Sequence, residues 1–149
     1  MKISNDTRNV LKNFSTINSG IRVKTGNKLE TISNMKNILA VATIDESFPQ
    51  DFSIYNLPEF LGATSLMSDP DFQFGDASLT VADDNSSLAY FYASEGMVVA
   101  PDKMITMPEA EINIEITSTL LSELQKAASV LGVNDLVLSS DGNTIIKTK

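Results

Sequence analysis

Phe52-Ser53-Ile54-Tyr55-Asn56-Leu57-Pro58-Glu59-Phe60-Leu61-Gly62 reads as a short strand running directly into a helix. Successive side chains of an extended chain point to opposite faces, so Phe52, Ile54 and Asn56 share one side and Ser53 and Tyr55 the other. Asn56 suits an N-cap, because its side-chain oxygen can accept from a free amide of the first turn, and Glu59 can reach back to the Asn56 N–H. Pro58 falls in that first turn, where its missing N–H leaves no bond unmade. Leu57, Phe60, Leu61, Thr64 and Met67 then recur at helical spacing as one apolar stripe.

The pattern recurs. Ile112-Asn113-Ile114-Glu115-Ile116-Thr117 reads as a strand leading into a helix with Leu120, Leu121, Leu124, Ala128 and Leu131 on one side. Lys2-Ile3-Ser4 opens the chain in the same way, before a helix carrying Val10, Leu11, Phe14 and Ile17. Tight turns and further strands follow each copy. Three strand-helix-strand-strand units make an α+β protein with antiparallel sheets.

Between these units the turn chemistry sets the expected boundaries. Ser4 or Asn5 caps the first helix, and Gly20 is expected to end it in the left-handed conformation. Ile21–Lys24 and Lys28–Ile32 read as a hairpin about Thr25-Gly26-Asn27. Ile38–Ile44 is apolar enough for a well-buried strand, and 45–50 reads as the loop that follows. Ser68-Asp69-Pro70 stops the second helix. Gly75-Asp76 and Asp83-Asp84-Asn85 turn the chain between strands 72–74, 78–81 and 87–93. Residues 95–110, with Gly96, Pro101, Pro108 and three methionines, break the rhythm and read as a connector. A last hairpin closes about Asp141-Gly142.

Composition excludes whole classes of chemistry. None of the 149 residues is Cys, His or Trp, so disulfides, thiolate or imidazole metal sites and His-based nucleophilic dyads are ruled out. Apolar residues make up 42%, enough for a core, and no apolar run nears the ~18 residues of a membrane span. The start carries no signal-peptide core, so a soluble cytoplasmic protein without membrane partners is expected. Asp45-Glu46, Asp69 with Asp71, and Asp83-Asp84 are paired carboxylates that could hold a divalent cation, but each is expected in a turn, where aspartate serves local hydrogen bonds. No catalytic residue, metal site or cofactor is expected. The net charge of −8 argues on its face against nucleic acid, although a total conceals how charge is divided between faces.

Three segments, in order and in register, resemble the T-even-type bacteriophage sliding clamps, the processivity factors of the phage DNA polymerase. They are Leu11-Lys12-Asn13-Phe14-Ser15-Thr16-Ile17-Asn18-Ser19-Gly20-Ile21, Ile54-Tyr55-Asn56-Leu57-Pro58-Glu59-Phe60-Leu61-Gly62, and Val98-Val99-Ala100-Pro101-Asp102-Lys103. The resemblance implies a DNA-clamp fold: rings of similar domains, each of two pseudo-twofold-related units, with helices on one face of the sheets lining the hole. Residues 1–94 would be one complete domain, 95–110 the connector and 111–149 the first half of a second domain, truncated relative to the family. The implied partners are non-specifically encircled double-stranded DNA, the phage polymerase and clamp loader, and further copies of the chain as a homo-oligomer. The alternative is a clamp-derived interaction module that does not encircle DNA.

Particular residues carry these expectations. Arg8 and Lys12, four apart on one helix face, with Lys2 nearby and Lys126 on the third helix, would face DNA through diffuse phosphate contacts that leave a clamp free to slide. Without the resemblance, the same residues read as an ordinary solvated helix face. Arg22, Lys24 and Lys28 would add to the field or solubilise a turn. Met97, Val98, Val99, Pro101, Met104 and Ile105 would dock a partner's peptide tail, methionine adapting its shape to varied ligands, or would pack the connector on the sheet. The family's intersubunit edges map to Ile38, Ala40 and Ala42 in one strand and Leu88, Tyr90 and Tyr92 in another.

Overall fold

Ile21-Arg22-Val23 and Phe52-Ser53-Ile54 alternate apolar and polar residues, and the two segments lie side by side with their apolar faces on one core. In the computed structural model, which describes residues 1–94, 96–103, 108–109, 113–140 and 144–148, the chain divides into two units, Met1–Met104 and Ile105–Lys149. The first unit runs α1 (Asn5–Ile17), β1 (Ile21–Val23), β2 (Gly26–Ile32), β3 (Leu39–Phe48), β4 (Phe52–Ile54), α2 (Leu57–Thr64), β5 (Asp71–Phe74), β6 (Ser78–Ala82) and β7 (Ser87–Phe91). All its pairings are antiparallel: β1 with β4, β2 with β3, and β5-β6-β7 in order.

One core serves both halves of this unit. Leu11 and Phe14 of α1 and Leu57 and Phe60 of α2 are buried with Ile21, Val23, Phe52 and Ile54. The Phe52 ring lies 5.5 Å from Phe48 and 5.4 Å from Phe74, and Phe60 meets Tyr90 edge-on at 5.2 Å. The Leu57 N–H donates to the Ser19 carbonyl at 2.7 Å, tying the start of α2 to the end of α1. The α2 cap forms with one change of partner. The Glu59 N–H donates to Asn56 Oδ1 at 3.2 Å, but Glu59 Oε2 accepts from the Asn56 side-chain amide at 2.9 Å. Asn56 N instead meets the Tyr90 hydroxyl at 3.4 Å.

Several local expectations are corrected. Lys2-Ile3-Ser4 forms no strand; Met1 alone exchanges backbone hydrogen bonds with Phe72 before Ser4 caps α1. That helix ends at Asn18 in extended conformation, and Gly20 is not left-handed. Gly20 is instead a site of close approach: a Cβ there would meet Val98 Cγ1 at 3.0 Å and the carbonyl oxygens of Ile54 and Tyr55 at 3.2 Å. β1 and β2 form no hairpin. Gly26 takes φ +114°, and the chain passes from one sheet to another because burial of Ile21 and Val23 against Phe52 and Ile54 selects β4 as the partner of β1. β3 continues to Phe48 through the expected loop, and it is not fully buried: Ile44 faces the core while Val41 is 50% exposed. α2 stops at Thr64, short of Ser68, with Asp69 taking a positive φ before Pro70.

The second unit holds α3 (Ser118–Leu131), β8 (Leu136–Ser140) and β9 (Thr144–Thr148), the last two pairing antiparallel. Thr117 caps the helix by accepting from the Leu120 N–H, and Gly132 ends it with φ 67°. Residues 113–117 form no strand, and Ile112 lies outside the described residues. The apolar stripe of α3 is not a buried core. No residue of the helix is buried, and Leu131 is 68% exposed, because one helix and one hairpin offer too little surface to cover it. Among the described residues no helix is long and apolar enough to cross a membrane.

Candidate functional site

The start of α1 is built around a carboxylate from β3. Glu46 accepts the Ser4 N–H on Oε1 and the Thr7 hydroxyl on Oε2, the latter at 2.5 Å. Ser4 Oγ in turn accepts the Thr7 N–H at 3.2 Å. Amides of a first helical turn have no intrahelical partner, and a negative charge there also complements the helix dipole. Partial burial acts to raise the Glu46 carboxyl, but the bonds from Thr7 and Ser4 outweigh it and hold the pKa at about 2. Asp45-Glu46 is therefore strand, and Glu46 is a cap supplied from a distant element.

The other paired acids are hydrogen-bond acceptors as well. Asp83 accepts from the amides of Asn85, Ser68 and Ser86, which together lower its pKa. Asp71 is lowered chiefly by its hydrogen bond from the N-terminal amine 2.7 Å away. Among the described residues no three acidic side chains gather as a metal site would require.

The candidate cations differ in their freedom. Lys2 is held by the carbonyl and carboxylate of Asp69, the latter at 2.9 Å. Arg8 is half-buried and donates weakly through Nε to the Ile3 carbonyl at 3.4 Å. Lys12, one turn on, is exposed and makes no ion pair among the described residues. Lys126 is exposed on α3, in the second unit.

Residues 96–103 are fastened to the end of α1 and to β1. Asn18, buried at the α1 C-cap, donates from Nδ2 to the carbonyls of Ile32 and Val99, each at 2.8 Å. Its Oδ1 accepts the Gly20 N–H at 3.0 Å. Arg22 donates to the Pro101 carbonyl at 2.9 Å and stands 3.8 Å from the Asp102 carboxylate. Pro101 is buried and Val98 half-buried, whereas Met97 is 57% exposed and Val99 also reaches solvent. Met104 and Ile105 lie outside the described residues. Asn18 had no signal in the sequence beyond an ordinary helix end, because its partner lies 81 positions away.

Two clefts flank Arg22. One, of about 240 Å³, lies between the β1–β2 corner and Pro101; the other, of about 350 Å³, lies between Phe52, Tyr92 and Val98. Elsewhere β3 pairs only with β2, and β7 only with β6, so each strand presents a free edge among the described residues. The β7 edge is shorter than expected. Tyr92 and Ala93 lie past the strand, and the Ala93 N–H donates to the Ser53 carbonyl at 2.9 Å. Ile38 precedes β3 and is exposed, Ala40 and Ala42 lie within it half-buried, and Leu88 and Tyr90 are half-buried in β7.

Residues 4–100 match the model of the DNA polymerase processivity factor family. The chain belongs to that family. Among curated proteins it is similar to the sliding clamp of Enterobacteria phage T4, at 35% identity over 98% of this chain. The sliding clamps of Vibrio phage KVP40 and Escherichia phage RB69 are 30% and 32% identical over the same share. The chain spans 65% of the T4 and RB69 proteins and 68% of the KVP40 protein. Its α+β architecture of antiparallel sheets accords with the clamp fold. α1, Asn18 and its hydrogen-bond partner Val99 all lie within the matched span.

Proposed function

We propose that this chain acts as a phage-type sliding clamp, a scaffold that holds a DNA polymerase on encircled double-stranded DNA and catalyses nothing itself. The observation that carries this reading is the family match over residues 4–100, which takes in α1, α2 and all the strands of the first unit. In this reading 1–94 is a complete clamp domain, 95–110 its connector and 111–149 the first half of a second. Arg8 and Lys12, with Lys2 and Lys126, touch phosphates without reading bases, which keeps the contact mobile. Met97, Val98, Val99, Pro101, Met104 and Ile105 dock tails of the polymerase and clamp loader. The free edges of β3 and β7 join copies into a homo-oligomer.

The test is primer extension on a primed circular template by a T4-type phage polymerase and its clamp loader. Product length should rise when this chain is added. Unchanged product length with a loader-competent polymerase would contradict the proposal. A second reading, an interaction module that does not encircle DNA, draws on the net charge of −8 and on α2, whose residues include no Lys or Arg. It predicts tail binding without longer products.

A further inference from the structure

Glu46 occupies a place built for an anion. In the β2–β3 ladder Lys28 lies opposite Thr43 but Gly26 lies opposite Phe48, so residues 44–47 bulge against Asn27 alone. A bulge re-aims the side chains it carries. This one sets a carboxylate between two buried residues, Ile44 and Phe48, and delivers it to the start of α1, 42 positions back in the chain. There it accepts from the Ser4 amide and the Thr7 hydroxyl. The helix has its own cap as well, because Ser4 Oγ already takes the Thr7 amide.

The groups around that carboxylate are those that would hold a phosphate. First-turn amides and the helix dipole attract oxyanions. Arg8 adds a formal charge: its Nε reaches back to the Ile3 carbonyl at 3.4 Å, which lays the guanidinium beside the same turn. Among the described residues Arg8 makes no ion pair, so its charge stays available to an oxyanion from outside. The Ser4 amide, the Thr7 hydroxyl and Arg8 together form a directed set of donors, and Glu46 takes the first two. A phosphate fixed by directed bonds would stall a sliding contact, whereas diffuse attraction would not.

We propose that Glu46 stands in for a backbone phosphate at the start of α1, shutting DNA out of a directed anion site and leaving Arg8 and Lys12 as exchangeable contacts. The inference rests on the reading of α1 as a DNA-facing helix, and adds to it what keeps that contact loose. Removing this acid should therefore tighten the hold on DNA by a whole phosphate contact, beyond the general easing of repulsion that the loss of any negative charge brings.

The probes are a short linear duplex, titrated by fluorescence anisotropy over a salt series, and inorganic phosphate, both against the full chain. Glu46→Ala should bind the duplex about tenfold more tightly than wild type at low salt, with a salt slope steeper by about one for the phosphate gained. Asp6→Asn removes an equal charge from an exposed position in the same turn. It should change affinity by about threefold at most and leave the slope alone. Inorganic phosphate should raise the melting temperature of Glu46→Ala but not that of wild type or Asp6→Asn. Glu46→Gln, which keeps the shape of the side chain, should shift in the same direction by a smaller factor, and carries the same test if the alanine variant does not fold. A folded Glu46 variant that binds DNA no more tightly than Asp6→Asn, or that phosphate does not stabilise, would overturn the proposal. Phosphate stabilisation of Glu46→Ala with no duplex binding by any of the proteins would overturn the DNA-facing reading of α1 while upholding Glu46 as the stand-in for an anion.

Discussion

Replacing Glu46 by glutamine tests how the first helix is started. Glutamine keeps the shape and one acceptor oxygen but removes the charge that receives both the Ser4 amide and the Thr7 hydroxyl. The folded-state pKa of about 2 stands below the ordinary value of 4.5. Converted at 1.36 kcal/mol per pKa unit, that gap has a ceiling of about 3 kcal/mol, and partial exposure of the side chain reduces it to about 1–2 kcal/mol. Because the pKa is depressed on folding, this stability is fully present above pH 4.5 and disappears as pH falls towards 2. Urea unfolding followed by circular dichroism, on both proteins from pH 7 down to 2.5, reads the difference directly. Other acids, Asp71 and Asp83 among them, lose their own contribution over the same range, but they do so in both proteins and cancel. The variant should be less stable by about 1–2 kcal/mol at pH 7, and most of that gap should be gone by pH 2.5. A gap that stays constant with pH, or no gap at pH 7, would refute the capping role.

Phe60→Ala should cost about 3–5 kcal/mol in the first unit's unfolding, since the ring is fully packed against Phe72 and Tyr90; Leu124→Ala, on a helix with no buried residue, should leave that transition unmoved. Gly20→Ala should destabilise by about 1–3 kcal/mol, because two backbone oxygens cannot yield to a Cβ at 3.2 Å, and proteolysis within 96–103 should speed up as Val98 is displaced. Arg8→Ala with Lys12→Ala should lower the salt slope of DNA binding by about two, one for each phosphate contact, with the far-ultraviolet spectrum unchanged. Light scattering after size exclusion should show a multiple of the 16.2 kDa chain mass, and a monomer at high concentration would remove the edge-strand assembly.

What could be read from the sequence was what its neighbours in the chain decide. Asn56 and Pro58 mark the start of α2 from within one turn, and Gly75 and the Asp83–Asn85 turn mark the β5-β6-β7 meander, whose strands are consecutive. The partner of β1 was misread because Gly26 carries an ordinary turn signal, while the force that pairs Ile21 with Ile54 is burial shared by residues far apart in sequence. β3 looked like a buried strand because alanine and valine do not reveal which face is covered. The same limit hid most of the candidate site. Lys12 was visible as a charge on a helix, but the roles of Asn18 and Arg22 exist only where residues 99–102 return to them. Glu46 was legible as an acid beside an acid, and its use as a helix cap depends on β3 passing the start of α1.

The central claim is a topological hold on DNA, and retention on circular against linear duplex measures it most directly. With loader and nucleotide supplied, the chain should stay on a closed circle through a high-salt wash that screens phosphate contacts, and should be released when the circle is cut once. Equal loss from both forms in high salt, with binding restored only at low salt, would contradict the account.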